Sequence, residues 1–267
     1  MHSFWHTQTP AKPLFPDIEW NKPEQRNRAG KLAIIGGNRL GFRAVEHNYR
    51  MALAVGVGQA RVLLPDVLRE SIPATITDVV FAPSNPSGSL GTDARRDVHA
   101  LAQWADGLLL IGDAGRNSQT AILYEELIDD ITIPLVISRD AVDLILPNAD
   151  RVVQRSTVSL TTSFSQLQKL FRRLYYPKIL TFRMTLLQLV ETLHKFTITY
   201  PLTVVTFHAD TIIVAHGGEV TTTPWTDPMS IWQGSVATRA VAYYLWNPST
   251  PLQAVTASLL DTTSPRP

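Results

Sequence analysis

The stretch GLLLIGDAGRNS at residues 107–118 carries the pattern on which the fold assignment depends. Its apolar run, Leu108 to Ile111, leads into Gly-Asp-Ala-Gly, and Arg116 and Asn117 follow directly. A short apolar run bounded by glycines is typical of a buried strand in a parallel sheet. Ligands of such sheets bind beyond the carboxyl ends of the strands, so the polar loop after this strand is a candidate binding loop. The alternative is a tight turn in which the glycines only provide positive φ angles.

Further apolar runs alternate with amphipathic segments on both sides of this stretch. Strands are predicted for residues 31–37, 59–65, 133–138 and 202–207, and helices for residues 44–55, 94–105 and 118–129. Two pairs have the spacing of a capping box at a helix start: Ser163 with Gln166, and Ser230 with Gln233. Residues 211–223 are expected to form a hairpin that turns at Gly217 and Gly218. The alternation predicts an α/β fold with a mostly parallel central sheet and helices on both faces.

The chain contains no internal repeat, low-complexity segment or recognisable linker. We therefore expect an irregular, Pro-rich N-terminal lead-in over residues 1–28, a single domain over residues 29–261 and a short tail over residues 262–267.

Composition narrows the class of protein. The 267 residues are 45% hydrophobic and 18% charged, which is typical of a globular protein with a sizeable core. The net charge of +1 gives no bulk electrostatic reason to expect nucleic acid or a membrane as a partner. No apolar run approaches the roughly 20 residues of a membrane helix, and the first residues do not resemble a secretory signal. We expect a cytoplasmic protein.

Cysteine and histidine usage limits the chemistry. The chain has no cysteine, which excludes disulfides, thiolate nucleophiles and Cys-bound zinc. Its seven histidines show no metal-ligand spacing, so no dedicated metal site is expected.

Two stretches approach known phosphate-binding motifs and fail them. GGNRLGFR at residues 36–43 has the glycine spacing of a P-loop, but Phe42 and Arg43 occupy the positions of its Lys and Ser/Thr. GVGQAR at residues 56–61 lacks the third glycine of a dinucleotide fingerprint and precedes a strand.

Glycine-ended strands are the better signal for a binding site. Backbone N–H groups at such strand ends and at the following helix starts attract anions. Two such ends supply the candidate substrate-binding residues: Gly36, Gly37 and Asn38 after one strand, and Gly112, Asp113, Gly115, Arg116 and Asn117 after another. Together they predict a cleft at one edge of the sheet. The alternative for the second end is a surface ion pair between Asp113 and Arg116, with Asn117 serving only as a helix cap.

The order of RAGKLAIIGGN, VGVGQARVLLP, ADGLLLIGDAGRN and IPLVISRDAVDLI resembles that of the ribokinase-like ADP/ATP-dependent NAD(P)H-hydrate dehydratases, relatives of the sugar and hydroxyethylthiazole kinases. The likeness covers about residues 22–146. Gly36 and Gly37 match the family's Gly-Gly-Ser, and Gly112 and Gly115 resemble its glycine loop. Asp140 matches its second Asp-Ala, and the resemblance adds it to the candidate substrate-binding residues. The resemblance implies a ribokinase-like three-layer α/β/α sandwich.

The C-terminal motifs depart from that family. Phe207 and His208 stand where it has Lys-Gly, and the turn before a late helix has Gly234 and Ser235 in place of Gly-Gly-Thr-Gly-Asp. The family's aspartate is the base of the kinases, and a serine hydroxyl cannot replace it at neutral pH without a partner. The resemblance assigns His208, Gly234 and Ser235 to the nucleotide site and leaves the catalytic residues unassigned.

The resemblance implies weak binding of ATP or ADP, with magnesium accompanying the nucleotide, a small-molecule ligand in the cleft and a homo-oligomer. Three functions stay open at this point. The first is a hydrate dehydratase with reduced or altered activity that repairs hydrated nicotinamide cofactors. The second is a non-catalytic relative that binds a nucleotide-like ligand or a partner protein. The third, a small-molecule kinase, lacks its base.

Overall fold

The structure, a computed structural model, describes residues 3–265. Its ten strands are β1 Trp5–Thr7, β2 Lys31–Ile35, β3 Gln59–Pro65, β4 Val79–Ala82, β5 Gly107–Leu110, β6 Leu135–Ser138, β7 Val158–Thr162, β8 Thr203–His208, β9 Thr211–His216 and β10 Glu219–Pro224. Its helices are α1 Arg43–Val55, α2 Arg95–Trp104, α3 Ser118–Asp130, α4 Asp140–Ile145, α5 Ala149–Val152, α6 Phe164–Arg173, α7 Leu186–Thr199, α8 Met229–Gln233, α9 Ser235–Trp246 and α10 Pro251–Ser258, with short 3₁₀ turns between some of them.

All ten strands form one sheet in the order β1-β10-β9-β8-β7-β6-β5-β2-β3-β4. Among these strands β9 alone opposes the common direction, because it pairs antiparallel with both β8 and β10. Every other pairing is parallel. The predicted α/β fold with a mostly parallel sheet is confirmed.

Helices cover both faces of the sheet, as strand periodicity requires. Leu32 and Ile34 of β2 point into a cluster that includes residues of α1, α9 and α10, whereas Ala33 and Ile35 point into the cluster of α2, α3, α6 and α7. All four side chains are fully buried. The molecule is therefore a three-layer α/β/α sandwich. None of the helices between residues 3 and 265 has the length and apolar character that crossing a bilayer requires.

The predicted hairpin is present. β9 and β10 pair through His216 and Glu219, so Gly217 and Gly218 form a two-residue turn with φ angles of +57° and +85°. Positive φ at both central positions belongs to the type I′ turn, which matches the twist of a hairpin. The capping box at Ser163 is also confirmed.

Two expectations are corrected. Within the lead-in of residues 1–28, β1 pairs in parallel with β10, so this segment is not irregular throughout. Trp5 donates from its indole N–H to Thr222 Oγ1 at 2.9 Å, and this tertiary pairing outweighs the absence of a strand pattern. The Ser230–Gln233 box is wrong: Ser230 lies inside α8, whose preceding residue is Pro228, and its hydroxyl donates to the Asp227 carbonyl.

The domain boundaries themselves stay a prediction. The predicted tail continues past α10 to residue 265, while residues 266–267, like residues 1–2, lie outside the described part of the chain. Within the tail, the Thr263 carbonyl accepts a hydrogen bond from Arg239 of α9 at 2.6 Å.

Candidate functional site

The carboxyl ends of β2 and β5 lie side by side, because the two strands pair in parallel. The Gly37 N–H donates to the Gly112 carbonyl at 3.3 Å, and the Asn38 amide donates to the Asp113 carbonyl at 2.6 Å. A Cβ on Gly36 would lie 2.5 Å from the Ile111 carbonyl oxygen, so only glycine permits this approach. The structure brings the two predicted glycine-ended loops together at one edge of the sheet.

Asp113 organises this edge. It is one of few non-glycine residues with a positive φ, +58°, and its carboxylate accepts the Ala44 N–H at the start of α1 at 2.8 Å. The second carboxylate oxygen lies 3.0 Å from Arg139 Nη2. The Asp113 N–H donates in turn to Asp140 Oδ1 at 2.8 Å. Burial raises the pKa of Asp140, although hydrogen bonds from backbone N–H groups oppose this shift. Asp113 is therefore fully engaged in holding loops and a helix start.

The other residues of the 112–118 loop have different roles. The ion pair of Asp113 is formed with Arg139, and not with Arg116 as the alternative had it. Arg116 is exposed and lines none of the cavities described below, so its contact with a ligand stays a prediction. Asn117 caps α3 by accepting the Gln119 N–H at 2.9 Å, and its amide donates to Ser87 Oγ at 2.7 Å. A Cβ on Gly115 would lie 2.7 Å from Ser89 Oγ, which indicates a tightly packed turn.

A cavity of about 820 Å³ opens beside Asp113 at the start of α1. Its walls include three arginines, Arg43, Arg50 and Arg139, against two carboxylates, Asp113 and Glu46. An adjoining cavity of about 320 Å³ shares Asp113 and Arg139 and extends toward Asp140, Ser163, Gln166 and Trp232. The larger cavity lies within the size range of small-molecule sites, and its arginines suit planar anions such as phosphates.

The turn between α8 and α9 forms the far wall of the site. Gly234 has a φ of +90°, and Asn48 of α1 holds the turn by donating to the Gln233 carbonyl at 2.9 Å. The Thr238 hydroxyl of α9 donates to the side-chain oxygen of Asn48, Oδ1, at 2.6 Å. Asn48 is fully buried, so its hydrogen bonds to Gln233 and Thr238 fix the position of the α9 N-terminus relative to α1.

Ser235, the first residue of α9, has a histidine partner. Ser235 Oγ lies 2.8 Å from His47 Nε2, and His47 lines the large cavity. The pKa of His47 is lowered mainly by burial and further by Arg50, Arg139 and Arg239, so the neutral imidazole predominates at neutral pH. The pair separates the large cavity from a third one of about 440 Å³, which Ser235 and Arg239 also line.

The predicted nucleotide-site residues do not all come together. Gly234 and Ser235 lie at the start of α9, whereas His208 lies at the end of β8. There His208 Nε2 is 2.7 Å from the Met184 carbonyl oxygen, and its ring stacks on Phe164 with centroids 4.9 Å apart. His208 lines none of the cavities of the cleft.

The sequence analysis missed several contributors to the site, among them Arg139, His47 and Arg50. Arg139 follows β6 at a φ of +58°, and His47 and Arg50 lie on one face of α1. The only available signal was that Arg139 follows an apolar strand at the sheet edge where the glycine loops end. Within residues 3–265, no three His, Asp or Glu side chains gather into a group that would hold a metal ion.

Comparison with known proteins identifies the fold. No known family model and no curated protein matches this sequence. Among solved structures, a ribokinase-like superfamily protein from Enterococcus faecalis is similar with a TM-score of 0.71 and 15% identity, covering 97% of this chain and 87% of that one. An ADP/ATP-dependent NAD(P)H-hydrate dehydratase from Bacillus subtilis, co-crystallized with ATP and Mg²⁺, is similar with a TM-score of 0.62 and 12% identity, covering 92% and 86%.

A hydroxyethylthiazole kinase from Pyrococcus horikoshii is similar with a TM-score of 0.57 and 12% identity, covering 92% of this chain and 80% of that one. The three neighbours share one architecture, and this chain follows it over nearly its whole length. The chain therefore has the fold of the ribokinase-like superfamily, as the sequence resemblance indicated.

Proposed function

We propose that this chain is a nucleotide-binding protein of the hydrate-dehydratase type, whose cleft holds the phosphates of a nucleotide or of a nicotinamide cofactor. The observation that carries the proposal is the cavity of about 820 Å³ lined by Arg43, Arg50 and Arg139, with the α9 N-terminus at its border. Arginine guanidinium groups and the N–H groups at helix N-termini both favour phosphate binding. Trp232, about half exposed at the adjoining cavity, offers a ring face for a base.

Phosphoryl transfer is not part of the proposal. Ser235 stands where the related kinases have the aspartate that deprotonates the substrate hydroxyl. The nearby carboxylates do not replace it, since Asp113 is paired with Arg139 and Asp140 accepts a backbone N–H. Losing such a base costs about 10²–10⁴ in rate.

Dehydration of a hydrated nicotinamide cofactor, the reaction of the hydrate-dehydratase type, is favoured over non-catalytic binding by the His47–Ser235 pair. His47 lies between two cavities, and its lowered pKa keeps the imidazole able to accept a proton. Magnesium would enter with the nucleotide phosphates. Among the described residues, no cluster of three His, Asp or Glu side chains offers it a separate site. Loss of the hydrate's absorbance signature on incubation with the protein and ATP or ADP would distinguish an enzyme from a non-catalytic binder.

Thermal denaturation with ATP, ADP, NADH and NADPH, each with and without magnesium, tests the proposal. A ligand at about 100 times its Kd stabilises the folded state by about 2.7 kcal/mol, which a melt resolves. Arg43→Gln should reduce the stabilisation, whereas Arg96→Gln, an exposed arginine on α2 outside the cleft, should leave it unchanged. A panel in which none of the four ligands shifts the melt, or in which both variants respond like the parent, contradicts the proposal.

A further inference from the structure

One segment of the chain is strongly basic, although the chain as a whole is nearly neutral. Residues 151–190 contain seven Lys or Arg and no Asp or Glu, in a chain whose net charge is +1. Arg151 and Lys169 are paired with carboxylates from other segments, which leaves five cations in this segment outside those ion pairs. Net charge alone gave no reason to expect an anionic partner, but a charge concentrated on one surface attracts an anionic surface regardless of the total.

The same segment exposes large apolar side chains. The loop between α6 and α7, residues 174–185, leaves Tyr175, Ile179 and Phe182 exposed by 89%, 78% and 68%. Clusters of exposed large apolar side chains are rare on proteins that bind nothing there. Tyr175 also has a φ of +50°, a conformation that bulky residues seldom adopt and that here accompanies an outward-facing ring.

The loop is ordered by contacts beneath it. Leu180 and Met184 are buried, and the Leu180 carbonyl accepts a hydrogen bond from Gln168 of α6 at 2.8 Å. Phe182 packs on Phe164, the first residue of α6, with ring centroids 4.8 Å apart. Tyr175 lies beyond the other end of α6, so the loop runs back along this helix of ten residues, about 15 Å in length.

Positive side chains alternate along this segment with the exposed apolar ones. Arg172, Arg173, Lys178 and Arg183 are all exposed on α6 or on the loop. We define the basic-apolar surface as these four residues together with Tyr175, Ile179 and Phe182.

We propose that the basic-apolar surface binds the anionic face of a phospholipid bilayer, with the apolar side chains entering the interface and the cations contacting headgroup phosphates. Charge complementarity selects the occupant. A second copy of this chain would bring like charges together, and the protruding side chains need no preformed pocket in a fluid bilayer. At the Phe182 end, this surface reaches Phe164, whose ring stacks on His208 at the end of β8.

Co-sedimentation with phospholipid vesicles tests this inference independently of nucleotide binding. The parent should bind vesicles of phosphatidylcholine with phosphatidylserine and not vesicles of phosphatidylcholine alone. The double variant Lys178→Gln with Arg183→Gln should bind these vesicles about 25-fold more weakly, because each charge lost near an anionic surface weakens binding about fivefold. Ile179→Ser with Phe182→Ser should weaken it by at least a similar factor. The controls are Lys12→Gln with Arg96→Gln, and Ile198→Ser, an isoleucine 64% exposed on α7 outside this surface.

The outcomes are distinct. The inference is supported if the parent and the control variants bind anionic vesicles, both surface variants lose this binding, and the melting temperatures of all variants stay unchanged. Absence of parent binding, equal binding to both vesicle types, or surface variants that bind like the parent overturns it. The inference is also overturned if the parent is a dimer that does not bind vesicles and Ile179→Ser with Phe182→Ser converts it to a monomer. That result would assign the surface to a contact with a second copy of the chain.

Discussion

Replacing Gly234 with alanine tests how the wall of the cleft is held. At a φ of +90° an added Cβ would lie 2.6 Å from Ile111 Cδ1 and 2.8 Å from Asn48 Nδ2. The Ile111 terminus can rotate, but the Asn48 amide is fixed by hydrogen bonds to Ala44, Gln233 and Thr238. The left-handed conformation costs an L-residue about 1–2 kcal/mol, and overpacking adds about 1–3 kcal/mol. We expect a loss of about 2–5 kcal/mol in the free energy of unfolding.

The matched control is Gly217→Ala in the β9–β10 turn. Gly217 also has a positive φ, +57°, but an added Cβ would meet no atom within 4 Å. Only the conformational cost of about 1–2 kcal/mol applies there. Urea unfolding at an unchanged m value measures both losses. Equal losses in the two variants, or a Gly234→Ala protein as stable as the parent, would refute the claim that the hydrogen-bonded Asn48 side chain cannot move aside.

Three further predictions concern charge and ligand binding. Burial raises the pKa of Asp140 above its ordinary 3.8, so its ionisation destabilises the folded state as the pH rises above that value. Asp140→Asn should remove this fall in stability, as urea unfolding between about pH 4 and 7 will show, and an unchanged pH profile would contradict the assignment. ATP and ADP should bind with a Kd no tighter than about 100 µM, or about 5.5 kcal/mol, if Phe207, His208 and Ser235 stand where the sequence resemblance puts the phosphate-binding motifs of the hydrate dehydratases. Calorimetry giving a sub-micromolar constant would disprove this prediction. Because the pKa of His47 lies below 6.5, nucleotide affinity should rise as the pH falls toward that pKa and the imidazole becomes charged; calorimetry on His47→Gln should show no such rise.

The sheet was predictable because its strands are local patterns. The run at residues 59–65 became β3 with the predicted ends, and Gly217 and Gly218 formed the predicted turn. Glycines at the ends of β2 and β5 also revealed which loops meet, since parallel strands end at the same edge. Periodicity and turn chemistry were sufficient for these features.

Features that depend on tertiary partners were not predictable. β1 has only three residues, and its pairing with β10 more than 200 positions away leaves no local pattern. The partner of Asp113 is Arg139 rather than the neighbouring Arg116, because the parallel order of β5 and β6 brings their carboxyl ends together. His47 meets Ser235 only because α1 and α9 pack on the same face of the sheet.

Hydrogen exchange measured by mass spectrometry, with and without the nucleotide that gives the largest thermal shift, tests most directly whether the cleft is the binding site. If the nucleotide binds in the large cavity, exchange should slow in peptides covering residues 36–44 and 232–238, which contain two parts of its wall, residues 40–44 and Gln233. The loop at residues 174–185 lies outside that cavity and serves as the internal reference. Protection at both walls with no change in the reference loop is the predicted result. Unchanged exchange at both walls under saturating nucleotide, or protection confined to the reference loop, would contradict the account.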